Sequence, residues 1–246
     1  MTEESYQIIG ADRPGPWLIA CDHASNRVPA EVGGGSLGLS DADMSRHIAY
    51  DIGAAAVSRH LGEHLNAPVI MSNFSRLVID PNRGEDDPTL LMKLYDGTII
   101  PQNRNVDDAE RQRRLTAYYR PYHDAYAELA ARNPDTIIVA VHSFTPRLNG
   151  RAPRPWQIGI LSASDRRFAD PLLDRLRAEP DLTVGDNQPY IGHLPGDAVD
   201  RHALKHGRQN ALIELRHDLI DDDAGQRAWA ARLAPILDAV RRDLQL

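Results

Sequence analysis

Cysteine is almost missing: Cys21 is the only one in 246 residues. A lone thiol excludes an internal disulfide and any cysteine-rich metal cluster, and its ordinary use is as a small buried apolar side chain. Positive charge is also short. A formal net charge of -7 argues against a nucleic-acid partner, because phosphate contacts need a surplus of Lys and Arg. The arginines greatly outnumber the lysines but are scattered among acids, with no basic block. No run approaches the ~20 apolar residues of a membrane span. The start, Met1-Thr2-Glu3-Glu4-Ser5, is acidic with no apolar segment behind it, so a secretory signal is not expected. Internal repeats and low-complexity linkers are absent too. These absences leave a soluble, cytoplasmic chain expected to form one domain over residues 1–246, with no nucleic-acid or membrane partner. Its 42% hydrophobic content is enough for a sizeable core.

Strand-like and helical runs alternate, which predicts an α/β three-layer sandwich around a mixed, mostly parallel central sheet. After a first strand, a loop with Pro29 and Gly33-Gly34-Gly35 leads to Ser40. Ser40 and Asp43 resemble a capping box and should open a helix reaching about Leu65, with Met44, Ile48 and Ile52 as its apolar stripe. Further strands are expected at Pro68 to Met71, Arg76 to Ile79, up to His142, Gln157 to Leu161, near Leu182 and up to Glu214. Further helices are expected at about 109–131, 165–177 and 224–244. Two stretches, Pro81 to Asp108 and Pro146 to Pro155, are irregular, and loops as long as the first are usually functional.

The chemistry gathers at strand ends. Trp17-Leu18-Ile19-Ala20-Cys21-Asp22-His23, Thr136-Ile137-Ile138-Val139-Ala140-Val141-His142 and Ala211-Leu212-Ile213-Glu214 are apolar runs that each stop at His or Glu. Ligands of open α/β sheets sit beyond the carboxyl ends of the strands, so the three endings can converge. Two histidines and a glutamate are the minimum parts of a hydrolytic zinc site. Taken singly, each His can equally be a hydrogen-bonded surface residue.

Asp43, His47 and Asp51 fall at i, i+4 and i+8, on one side of the expected helix. Either they form a solvated charged stripe, or His47 is a third metal ligand with Asp43 or Asp51 on its other ring nitrogen. Asn26, three residues after His23, competes for that third place. Around a turn, Arg76, Asn82 and Arg83 suit carboxylate recognition, against the alternative of structural salt bridges. Glu214 and Arg216, two apart, share a sheet face if the strand continues; they read as a site edge or as a buried structural pair.

In this order, Asp22 to Pro29, Phe74 to Arg83, His142-Ser143 and Ile213 to Arg216 resemble the N-formylglutamate amidohydrolase (N-formylglutamate deformylase) family, over about Leu18 to Ile220. That family is similar to zinc carboxypeptidases, and the resemblance implies their fold. It aligns His142-Ser143-Phe144 with a His-Ser-Tyr ligand segment, Glu214-Leu215-Arg216 with the catalytic Glu segment, and Asn82-Arg83 with the pair that holds a substrate carboxylate. The chain departs where a Glu ligand is expected, at Asn26, which leaves His47 or a weaker site.

The reaction implied is zinc-dependent hydrolysis of an N-formyl or other N-acyl amino acid, such as N-formylglutamate. Zn2+ would rest on His23, His142 and the third ligand. Glu214 would be the general base and acid, Arg76 or Arg216 the oxyanion donor, and Asn82, Arg83 and Ser143 the substrate-binding set. The alternatives are a zinc carboxypeptidase or broader N-acyl-amino-acid amidase, and a non-catalytic protein that binds acidic ligands.

Overall fold

The computed structural model describes residues 4–246; Met1, Thr2 and Glu3, part of the acidic start, lie outside the described residues. Its strands are β1 (Tyr6–Ile9), β2 (Trp17–Cys21), β3 (Val69–Ser72), β4 (Leu94–Tyr95), β5 (Thr98–Ile99), β6 (Ile137–Phe144), β7 (Ile158–Leu161), β8 (Val184–Asp186) and β9 (Asn210–Arg216). Its helices are α1 (Asp41–Met44), α2 (Ala54–His64), α3 (Asp108–Arg114), α4 (Arg120–Ala130), α5 (Ala169–Arg177), α6 (Ala198–His202) and α7 (Asp223–Asp243). Seven strands form one sheet in the order β1-β3-β2-β6-β9-β7-β8, with β4 and β5 as a separate hairpin. β3, β2, β6 and β9 run parallel, while β1 and β7 join antiparallel. This is the mixed, mostly parallel sheet expected from the sequence.

Alternation along the strands builds the layers. Trp17, Ile19 and Cys21 of β2 and Ile137, Val139 and Val141 of β6 pack with α2, α5 and α7 on one face. Leu18 and Ala20, with Ile138 and Ala140, pack with α4 and α6 on the other. Both faces are buried, and for that reason the strands read as continuous apolar runs. A third cluster, including Phe74, Leu77, Val78, Ile79 and Tyr119, lies under the loops at the strands' carboxyl ends. Among the described residues, no helix is long and apolar enough to cross a membrane.

Two expected elements are different in the structure. The helix from Ser40 to Leu65 is broken into α1 and α2, although Ser40 caps α1 as read, its hydroxyl accepting from the Asp43 N–H at 3.1 Å. α1 already ends at Met44, and Gly53, with φ +79°, is the N-cap from which α2 starts; an added Cβ there would stand 2.1 Å from the Ile220 carbonyl oxygen. The Asp51 N–H donates to the His23 carbonyl (2.9 Å) instead of to a helical turn. Asp51 is thereby turned from a helix surface into the interior, only 4% exposed. The strand expected at Arg76 to Ile79 is a turn, closed by the Val78 N–H on the Ser75 carbonyl (2.9 Å). Its apolar residues are there because the third cluster buries Leu77, Val78 and Ile79 together, as a strand covered on both faces also would.

Gly53→Ala should destabilise the fold by at least ~3 kcal/mol, adding left-handed backbone strain to a clash with backbone. Chemical denaturation would measure it; a loss under ~1 kcal/mol would show that the 45–53 turn can relax.

Candidate active site

Strand register sets the first row of side chains. His142 of β6 is paired with Glu214 of β9. Asp22 follows β2 on the other side of β6, and its Oδ2 meets His142 Nε2 at 3.2 Å. The alternation that faces Ala140 and Leu212 toward α4 and α6 carries His142 and Glu214 to the same side. His23 lies one residue beyond Asp22, and its ring centroid is 4.9 Å from that of His142 at 76°.

Two turns then deliver carboxylates to the rings. Asp51 Oδ2 is 3.3 Å from His23 Nδ1 and 2.9 Å from His142 Nδ1, and it also accepts the Ser143 N–H at 3.2 Å. Asp80 Oδ1 is 2.7 Å from His23 Nε2. Each imidazole thus has one nitrogen on the shared Asp51 oxygen and the other on a private carboxylate, Asp80 or Asp22. The Arg76 guanidinium clamps Asp80 Oδ2 at 2.8 and 3.1 Å and reaches Asp51 Oδ1 at 3.4 Å. The Tyr122 hydroxyl of α4 donates to Asp22 Oδ1 at 2.6 Å.

Burial opposes charge on all these groups, but their mutual arrangement prevails. The Asp51 carboxyl is held below its ordinary range because the charges of His23 and His142 and their hydrogen bonds outweigh desolvation. Burial would likewise strip the His142 proton, yet hydrogen bonds to Asp22 and Asp51 raise its pKa well above the ordinary value. The cluster therefore favours positive charge between its carboxylates. Donor atoms of His23, Asp51 and His142 lie within 4.8 Å of one another, and all three residues are buried. Two imidazoles and a carboxylate, with a further carboxylate behind each ring, are a donor set suited to a divalent metal ion.

Glu214 borders the same cavity, of about 380 Å³, with His23, Asp51 and His142. It is 5% exposed, and its Oε2 has no hydrogen-bond partner among the described residues. Burial, reinforced by the charge of Asp51 and opposed by that of His142, raises its pKa to about 8. On the antiparallel neighbour β7, Gly159 stands opposite Glu214. A Cβ at 159 would fall 1.9 Å from the Gln188 carbonyl oxygen, so glycine lets the chain lead on to Pro189 and Tyr190 over the cavity.

The structure brings together only some of the residues expected from the sequence. His23, His142, Glu214, Arg76, Asn82 and Arg83 border the cavity. Ser143 does too, but its hydroxyl donates to the Ile52 carbonyl at 2.8 Å. His47 is on the wall without joining the His23–Asp51–His142 group. Its Nε2 is 3.5 Å from Asp96 and its ring stacks on His217, while burial lowers its pKa to about 4. Asn26 donates to the Met44 carbonyl at 2.9 Å, and Asp43 stays at α1 with Ser40 and Arg46. Arg216 turns to Asp218, with contacts of 2.8 and 3.3 Å. Asp22 and Asp80 escaped the sequence reading, although each directly follows an apolar run, Asp22 just ahead of His23. Asp51 gave no signal of its actual place, since the end of α1 at Met44 and the bond of its N–H to the His23 carbonyl put it there.

The family model of N-formylglutamate amidohydrolase matches residues 15–221. The chain belongs to the N-formylglutamate amidohydrolase family. It is 28% identical over 254 aligned residues to the N-formylglutamate deformylase of Pseudomonas aeruginosa, covering 93% of this chain and 91% of that protein. A gene product of Agrobacterium tumefaciens of known structure is 35% identical with a TM-score of 0.93, the match covering 100% of this chain and 98% of the other. The N-formylglutamate amidohydrolase of Ralstonia eutropha shares the fold at 21% identity and a TM-score of 0.67, over 98% and 100% of the two chains.

Asp51→Ala should abolish tight binding of a divalent metal, whereas His47→Ala should retain it. Metal analysis of the purified variants decides between them: stoichiometric metal in Asp51→Ala would remove Asp51 from the donor set. Asp80→Asn, which weakens the support behind His23 and the clamp on Arg76, should lower metal affinity roughly 10–100-fold.

Proposed function

We propose that the chain hydrolyses the amide bond of N-formyl or other N-acyl amino acids, such as N-formylglutamate, releasing formate and the free amino acid, with zinc held by His23, Asp51 and His142. The observation that carries this reading is Glu214: a buried carboxylate with one oxygen unpartnered, beside the His–Asp–His group and facing a cavity of small-molecule size. Its pKa near 8 is that of a group able to take and return a proton near neutrality. Two imidazoles with one carboxylate suit zinc, and the remaining place in such a site is open to water or substrate. When bound, zinc supplies Lewis acidity to the amide carbonyl and acidifies water at the site.

The chain's own residues supply the rest. Glu214 takes the proton of the attacking water and returns it to the departing amine nitrogen, which leaves as the free amino group. Arg76 is held by Asp80 and Asp51, so it orients the carboxylates around the histidines and keeps positive charge at the cavity wall, where the oxyanion develops. Arg216, tied to Asp218, is not needed for that task. Arg83 donates only to neutral oxygens, Thr89 Oγ1 at 3.1 Å and the Asn82 carbonyl at 2.7 Å, and is left to take the substrate's α-carboxylate. Asn82 supports it from a fixed position, its Oδ1 accepting from the Ala198 N–H at 3.2 Å. Phe144, Leu161 and Leu212 add apolar surface to the cavity wall, which strengthens the charge interactions within it.

We also read residues 1–246 as one catalytic domain acting on a small molecule in the cytoplasm. The family match over residues 15–221 and the one sheet from which the cavity is built support its unity.

Formate release from a panel of N-formyl amino acids, with and without a chelator, tests the assignment: turnover should require the metal and return with zinc. No release from any member of the panel would end it. Glu214→Gln should keep its metal while turnover falls by roughly two to four orders of magnitude. Metal loss in that variant would make Glu214 a ligand instead.

A further inference from the structure

The cavity has two half-buried guanidinium groups nearby whose polar partners are all neutral. One is Arg83. The other is Arg154, in the irregular stretch between β6 and β7, whose Nη1 donates to the Thr145 carbonyl at 3.1 Å and the Tyr190 hydroxyl at 3.2 Å. Its guanidinium carbon lies 4.9 Å from the Tyr190 ring centroid and 5.7 Å from that of Phe144. Thr145, Tyr190 and Phe144 all line the cavity, so this cation lies directly behind its wall. Arg76, by contrast, is saturated by Asp80 and Asp51, and Arg216 by Asp218. A partly desolvated cation with no carboxylate in hydrogen-bond contact among the described residues is incompletely compensated, and an incoming anion completes it.

The two free cations stand on different sides of the reacting centre. Arg83 follows Asp80, the partner of His23 at the end of β2, and neighbours α6 through Asn82. Arg154 is on the far side of β6, where its own carbonyl accepts from Arg216 at the end of β9 (3.5 Å). Between β2 and β9 lies β6 with His142. Glu214 feels the Arg154 charge, which opposes the effect of burial on its carboxyl. Two separated cation receptors about one hydrolytic centre match a substrate with two carboxylates.

Resting on the amidase reading above, we propose that Arg154 and the Tyr190 hydroxyl bind the side-chain carboxylate of an N-acyl acidic amino acid, while Arg83 holds its α-carboxylate. Arg154 is then a specificity-determining residue. The Tyr190 hydroxyl that it positions adds a donor on the 189–192 segment, so the segment covering the cavity takes part in reading the side chain.

The test compares N-formylglutamate with N-formylglutamine, which has the same shape without the second charge. The wild-type protein should favour N-formylglutamate. Arg154→Met should lower kcat/KM for N-formylglutamate more than for N-formylglutamine, by a factor of roughly 30 or above, mainly through KM. Arg154→Lys, which keeps the charge but loses the fork, should give an intermediate factor, and Tyr190→Phe a smaller one. Equal losses on both substrates would show Arg154 to be a structural clamp on the Tyr190 segment and overturn the proposal, as would equal wild-type kcat/KM values. If the wild-type protein cleaved neither substrate, the amidase reading would fall. Calorimetric binding of glutarate against its monoamide would then decide the receptor alone: loss of a glutarate preference in Arg154→Met supports it, and an unchanged preference overturns it.

Discussion

One carboxylate oxygen organises the centre of this protein. Asp51 Oδ2 is shared by the Nδ1 atoms of two histidines and by a backbone N–H, at the buried ends of β2 and β6. Leaving such a charge in the interior unpaired would cost several kcal/mol, so its neighbours must compensate for one another. Asp22, Asp51 and Asp80 surround the two rings, and Arg76 alone is a permanent cation among them. The surplus of negative charge is offset when His142 keeps its proton, or when a metal ion takes that place. The same electrostatic demand thus suits the cluster to a metal ion and to a protonated His142 alike.

The geometry of that receptor follows from sheet topology. Parallel β2, β6 and β9 place Asp22, His142 and Glu214 side by side, and such a row needs no long-range loop to align it. The loops add what the strands cannot: Asp51 from the turn after α1, Asp80 and Arg83 from the turn after β3, and Tyr190 from the crossing beside Gly159. A third apolar cluster, with Ala49, Phe74 and Leu77 to Ile79, packs beneath the loops that carry Asp51 and Asp80, so those carboxylates stand on buried backbone although it is irregular. A scaffold can persist while the residues on its loops set what the cavity accepts.

Charge is distributed unevenly around the cavity. Close to the metal group the arginine is fully paired, so it stabilises the protein's own carboxylates. Farther out, Arg83 and Arg154 hold only neutral oxygens. Cations with no carboxylate bonded to them among the described residues are where an anionic ligand gains most, because binding completes contacts that folding left open.

Residues near His23, His142 and Glu214 were legible in the sequence because a strand buried on both faces leaves an unbroken apolar run, and the polar residue ending it stands out. Arg83 and Asn82 were legible for a similar reason, at the start of a long irregular segment. Asp51 was not. Its spacing from Asp43 and His47 has helical period, but α1 ends at Met44, and the turn that follows, tied by the Asp51 N–H to the His23 carbonyl and closed by left-handed Gly53 against Ile220, turns the carboxylate inward. The apolar Leu77-Val78-Ile79 misled in the same way, since burial under loops imitates a strand. By itself the sequence determined the buried strands β2, β3, β6, β7 and β9 and the polar residues at the ends of β2, β6 and β9, because these depend on local hydrophobicity. Tertiary structure alone decided which carboxylate joins the histidines and which arginines remain unpaired, because both depend on contacts between segments that the chain brings together only on folding.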